Sequence, residues 1–302
     1  VFWLLLEIFF NNVMPVFMLV LIGYFVRDRL GLDGRTLTRF AYFVLVPSFV
    51  YNIMSSARVE LNLAVRMIAF IVTVHVAVAL LGFVVGKVLR RSPEMVAAYV
   101  VIAVFGNVGN FGLPIIEFRL GSDALVAATF YFLAITMIAF VIAVAAANWH
   151  RGGGVGAALA VFKTPALIAL VPALLVNWSG VQLPTFVERS TSLLAGAMIP
   201  TMLVTLGVQL AGMKQIRFSA DVFIASAIRL IGGPALAMLI VIPFGLTGVE
   251  RAAGVLQAGM PAAVLATIIA LEHKLIPDFV TTTVLFSTVV SLLTLTVLLA
   301  VI

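Results

Sequence analysis

The sequence predicts an all-α membrane protein with ten transmembrane helices, arranged as two inverted five-helix repeats that are each interrupted once. Three observations carry this expectation: a composition too apolar for a water-facing surface, apolar runs of spanning length, and prolines that recur at a near-constant offset. Of the 302 residues, 64% are hydrophobic and 10% are charged, and the mean hydropathy is +1.25. A soluble domain is roughly 45–50% apolar and about 25% charged. Soluble and disordered classes are therefore excluded. At roughly 20 residues per span, the length holds about ten spans and short loops.

Taken in order, the apolar runs place spans near Leu5 to Val26, Thr36 to Met54, Ala64 to Leu89, Met95 to Phe118 and Ser122 to Asn148. A second set falls near Ala157 to Val176, Pro184 to Ala211, Ala220 to Phe244, Val249 to Leu271 and Pro277 to Val301. In lipid, a chain that is not a barrel must satisfy its own backbone hydrogen bonds, which makes these runs helices. A barrel would alternate apolar and polar positions, and these runs are apolar all round.

The positive-inside rule orients the spans. Twelve basic residues flank odd-numbered loops: Arg27, Arg29, Arg35, Arg39, Lys87, Arg90, Arg91, Arg151, Lys163, Lys214, Arg217 and Lys274. Five flank even-numbered loops: Arg58, Arg66, Arg119, Arg189 and Arg251. The odd loops are thus expected in the cytoplasm and both termini on the extracytoplasmic side of a cell membrane. The net charge of +6 lies between apolar runs. It reads as topology signal and contact with anionic lipid headgroups, not as a nucleic-acid surface. The chain has no cysteine, which excludes disulfides, thiolate metal sites and thiol nucleophiles. The first apolar run lacks a basic leading segment and a small-residue cleavage motif, so no cleavable signal peptide is expected.

The clearest linker is His150-Arg151-Gly152-Gly153-Gly154. It divides the chain into a first repeat at 1–149, a linker at 150–156 and a second repeat at 157–302. Prolines echo across it: Pro15 and Pro165 are 150 apart, Pro47 and Pro200 are 153 apart, and Pro114 and Pro261 are 147 apart. Five spans per half force the halves into opposite orientations, the plan of many secondary transporters.

The fourth span contains Gly106-Asn107-Val108-Gly109-Asn110-Phe111-Gly112-Leu113-Pro114. Glycine weakens a helix, and proline removes a donor and clashes with the carbonyl four residues earlier. The ninth span holds a shorter break, Gln257-Ala258-Gly259-Met260-Pro261. Freed backbone groups must be buried in protein or line a wet cavity. Matched breaks in two halves point to a transport site, since each offers a helix N-terminus with partial positive charge. Asn107, Asn110 and Gln257 supply amide donors for a carboxylate, and Pro114, Gly259 and Pro261 shape the breaks. The alternative is that these are kinks and close-packing glycines.

His75 and Arg229 fall deep in the third and eighth spans, 154 residues apart. Such groups are costly in lipid and should face protein or water. His75 could relay a proton or reshape a pocket; alternatively it donates to a carbonyl of a neighbouring helix. Arg229 could pair with a substrate carboxylate or hold the site together; alternatively it snorkels or bridges backbone carbonyls. Asn52 and Thr205 each follow a proline by five residues and could face the substrate, or bond a nearby helix. No His-Glu-x-x-His motif, Asp-rich metal motif or ATP-binding glycine loop is present, so no metal, cofactor or enzyme chemistry is expected.

The stretch Gly106 to Pro114 resembles the fourth-helix signature of the auxin efflux carrier family, the bacterial relatives of plant PIN-type carriers. The runs Pro47-Ser48-Phe49-Val50-Tyr51 and Gly259-Met260-Pro261-Ala262 fit the same family. The resemblance covers essentially the whole chain. It implies a fold like that of the PIN and bile-acid carriers, with the fourth and ninth helices crossing at their breaks. It implies a scaffold of spans one, two, six and seven beside a transport domain of spans three to five and eight to ten. Elevator-like alternating access, a homodimer through the scaffold and a bacterial inner membrane are implied with it. The long cytoplasmic loop of many plant members is replaced by the short Gly152 linker. The leading expectation is a secondary transporter of small organic anions of the carboxylate type. A sodium-coupled organic anion symporter and an anion channel are the alternatives.

Overall fold

The computed structural model describes residues 2–148, 163–213 and 216–302. The expected linker at 150–156, and Lys214 among the counted charges, lie outside the described residues. The described residues are mainly helical and contain no β-strand. Among the described residues, seven helices are long and apolar enough to cross a membrane: α1 (Phe2–Leu30), α2 (Gly34–Ser56), α3 (Leu61–Val88), α6 (Ala124–Ala147), α8 (Thr185–Ala211), α9 (Ala220–Ile240) and α12 (Pro277–Val301). Shorter pieces stand where the fourth, sixth and ninth spans are expected. They are α4 (Pro93–Val104) and α5 (Leu113–Leu120), α7 (Pro165–Ser179), and α10 (Gly248–Ala258) and α11 (Val264–His273).

Local chemistry sets the helix ends. The Asp33 carboxylate accepts from the backbone N–H groups of Arg35 and Thr36 and from the Thr36 hydroxyl, capping α2. These bonds hold its pKa below the ordinary aspartate value. Ser92 caps α4 by accepting from the Met95 N–H, and Pro93 occupies the first turn, where a missing donor costs nothing. Gly121 and Gly180 end α5 and α7 with positive φ, a conformation that suits glycine.

Among the described residues, four π-helical segments interrupt the α-helices, at Phe9–Val13, Ala41–Leu45, Val108–Gly112 and Ile228–Gly232. Each ends two residues before a proline: Pro15, Pro47, Pro114 or Pro234. Proline cannot donate to the carbonyl four residues back and collides with it. A locally wider turn relieves the collision, and such bulges recur at functional sites.

The chain forms two compact units. One comprises Pro15–Leu61 and Phe162–Gly212, and so holds most of α1 together with α2, α7 and α8. The other comprises Val1–Met14, Asn62–Val161 and Met213–Ile302, and holds the remaining helices. In the smaller unit α2 packs against α7 and α8. The Asn177 amide of α7 donates to the carbonyls of Met54, Ser55 and Ala57, closing the C-terminal end of α2. In the larger unit α4 packs on α6, α6 on α10, and α12 on both α9 and α11. The α4 segment from Val96 to Val104 is buried without a break, so it forms the centre of this unit.

Candidate functional site

Within the larger unit, α4 stops at Val104 and the chain runs through Phe105, Gly106 and Asn107 outside the α-helical conformation. It re-enters a π-turn at Val108, with the Asn107 carbonyl accepting from the N–H groups of Phe111 and Gly112, and continues as α5. In the second break α10 stops at Ala258, the chain crosses Gly259 to Ala263, and α11 begins at Val264. The glycines and prolines that weaken the helix in sequence stand at these two places.

The two breaks are joined to each other. The Asn107 N–H donates to the Pro261 carbonyl at 2.7 Å, and the Ala263 N–H donates to the Phe105 carbonyl at 2.8 Å. Gly106 and Ala262 thereby form an antiparallel bridge. Backbone groups released from both helices satisfy each other, as burial away from water demands. A third partner comes from α12: the Ser287 hydroxyl accepts from the Ala262 N–H at 3.1 Å.

Arg229 lies on the π-turn within α9 and is 1% exposed. Its Nε donates to the Met260 carbonyl at 2.8 Å, Nη1 to the Ala103 carbonyl at 2.8 Å and Nη2 to the Gln257 carbonyl at 3.2 Å. Three of the five guanidinium donors are thus taken by backbone. Among the described residues no carboxylate pairs with it. An unpaired buried charge is costly. Here the carbonyl bonds offset that cost, as does the partial negative charge of two helix C-terminal ends. Arg229 therefore bridges backbone carbonyls.

Other expected site residues gather at the same crossing. Asn107 is 5% exposed and its amide Nδ2 has no partner among the described residues. Gln257 is fully buried; its Nε2 donates weakly to the Ala128 carbonyl at 3.4 Å, and its Oε1 has no partner among the described residues. Gly112 makes room for that amide, since a Cβ there would fall on Oε1. Pro114, Gly259 and Pro261 are buried, and Asn110 is half-buried on the π-turn. A buried amide with an unused donor is rare in a finished interior; it suits a position that completes its bonds with a ligand.

His75, buried on α3, donates from Nδ1 to the Ile71 carbonyl of its own helix at 2.9 Å. Its Nε2 is buried without a partner among the described residues. Asn52 and Thr205 belong to the other unit. Thr205 donates to the Thr201 carbonyl one turn back, and the Asn52 carbonyl accepts from Ser56. Among the described residues no three His, Asp or Glu side chains cluster as metal ligands would.

Sequence reasoning passed over Ser287 and its neighbours. Thr283, Ser287, Thr288 and Ser291 line the buried side of α12, each bonded to a carbonyl three or four residues back. Small hydroxyls at helical spacing in an otherwise apolar span were the available signal. Also unanticipated was the group at the far end of α4. There the Asp221 carboxylate accepts from the Tyr99 hydroxyl at 2.7 Å and from Arg91 Nε at 2.9 Å.

A family model described as "Membrane transport protein" matches residues 8–151 and 157–299. An uncharacterized transporter of Methanothermobacter thermautotrophicus is 30% identical over 94% of this chain and 95% of its own length. A putative malonate transporter of Rhizobium meliloti is 26% identical over 94% of this chain and 92% of its own. Auxin efflux carrier component 1 of Arabidopsis thaliana is 26% identical over 39% of this chain and 20% of its own. The chain belongs to this membrane transport family, the one that contains the auxin efflux carriers.

Proposed function

We propose that this member of the auxin efflux carrier family is a secondary transporter of small organic anions, with the substrate carboxylate bound where the two broken helices cross. The observation that carries the reading is the joined pair of breaks, with the unpartnered Asn107 donor buried beside them. The half-helices α5 and α11 begin at this crossing, and helix N-terminal ends favour an anion. Asn107 and Gln257 contact the carboxylate; Asn110, Pro114, Gly259 and Pro261 shape its surroundings. The name of the Rhizobium relative makes malonate the first substrate to try.

In this reading the chain has ten spans in two inverted repeats, both termini extracytoplasmic. The smaller unit is a scaffold, which also carries a homodimer contact and supplies Asn52 and Thr205. The larger unit is the moving transport domain, with His75 in support. The separation of the chain into two compact units supports that division of labour. With an inside-negative potential of about 2.3 kcal/mol per charge per 100 mV, an anion is driven outward without a further energy source.

The test is uptake and counterflow of labelled malonate, other small carboxylates and indole-3-acetate in proteoliposomes. Saturable exchange that a carboxylate competes away is expected. Channel-like currents without saturation, or no carboxylate exchange at all, would overturn the proposal.

A further inference from the structure

Among the described residues, the hydrogen-bond partners of the Arg229 side chain are backbone carbonyls at, or just past, the ends of two half-helices. Ala103 lies in the last turn of α4, Gln257 lies in the last turn of α10, and Met260 lies in the break that follows. These ends carry partial negative charge. In carriers with discontinuous helices, such carbonyls are the groups that hold a coupling cation. The backbone is also shaped around the guanidinium, because a Cβ at Gly106 would fall on Nη2. We infer that Arg229 is a resident cation that permanently occupies these carbonyls, so that the carrier works without a co-transported metal ion.

The transport half of the inference rests on the carrier reading above; the occupancy half does not. A guanidinium keeps its charge and cannot dissociate from the chain. It crosses and returns with the protein, so the charge moved per cycle is that of the substrate alone. The same residue explains how two negative helix ends stay together.

Thermal unfolding of the purified chain tests occupancy without any substrate. At constant ionic strength, sodium, lithium, potassium and N-methylglucamine chlorides should give the same midpoint. A saturable rise with sodium, the signature of a bound ion, would overturn the inference. Arg229→Ala should unfold at lower temperature and be partly restored by millimolar methylguanidinium or by a newly acquired metal cation. If neither ion restores it, the guanidinium is not acting as the cation. Arg229→Lys should retain more stability than Arg229→Met, and the reverse order also counts against it. If none of these variants folds, the salt series on the unaltered chain decides. Loss of carboxylate transport with an unchanged salt series would sink the carrier reading alone. Uptake that requires a sodium gradient would sink this one.

Discussion

Gly106 and Arg229 occupy adjoining space so closely that a single methyl group on the glycine would overlap the guanidinium. Gly106 does not adopt a positive φ. It is therefore required for what passes over it and not for its own backbone angles. The first break in the chain and the buried cation form one packed unit, tied by the Ala103 carbonyl on one side and the Met260 carbonyl on the other.

Gly106→Ala should displace the guanidinium and weaken all three of its carbonyl bonds. Overpacking of this kind costs about 1–3 kcal/mol, so a lower unfolding midpoint is expected in detergent. Residues that share a contact do not act additively. Arg229→Lys places a slimmer group over the same glycine, so the double variant should lose less stability than the two single losses added. Strict additivity would show that the two positions do not touch.

Asn107→Ala should weaken carboxylate binding while leaving the protein folded, because Nδ2 has no partner among the described residues to lose, and Gln257→Ala should weaken it too, giving up only the long Nε2 bond to the Ala128 carbonyl. A hydrogen bond to a charged group contributes about 1.5–3 kcal/mol, and each 1.4 kcal/mol is about tenfold in affinity. A loss of roughly ten- to a hundredfold in Kd for the transported carboxylate is expected for Asn107→Ala. Unchanged affinity in both variants would remove these amides from the site.

The two breaks were legible in the sequence because the residues responsible act locally: glycine and proline spoil a helix wherever it stands. Asn107 and Gln257 were legible for the same reason, as the polar members of those stretches. What Arg229 reaches was not, because the carbonyls of Ala103, Gln257 and Met260 are brought to it by helices distant in sequence. Ser287 was missed because a hydroxyl that bonds its own helix leaves no mark in a hydropathy profile. The π-turns before Pro15, Pro47, Pro114 and Pro234 show the limit of the proline rule. Proline predicts a disturbance, but whether the helix breaks or only widens depends on neighbouring glycines and on what packs alongside.

The Asp221 carboxylate joins Tyr99 of α4 and Arg91 of the preceding turn to the start of α9. Its side chain is 12% exposed, so loss of either partner leaves a poorly solvated charge. Tyr99→Phe should cost about 1.5–3 kcal/mol in unfolding free energy. The Asp221→Asn, Tyr99→Phe cycle should show coupling, since the two groups share one bond. Carboxylate affinity should change little, because this group acts on stability at a distance from the breaks. A selective loss of affinity at unchanged stability would contradict that assignment.

In the smaller unit two glycines bring α1 and α8 into backbone contact. A Cβ on Gly23 would strike the Val204 carbonyl, and one on Gly207 would strike the Val20 carbonyl. The contact is reciprocal, so neither helix can take a larger residue by shifting along the other. Gly207→Ala is expected to cost about 1–3 kcal/mol of stability, read as an earlier unfolding transition. Because the altered contact lies within the unit proposed as scaffold, the Kd for carboxylate should stay near that of the unaltered chain while transport turnover falls. A variant in which affinity drops as steeply as turnover would place Gly207 in the binding machinery and count against the division of labour between the units.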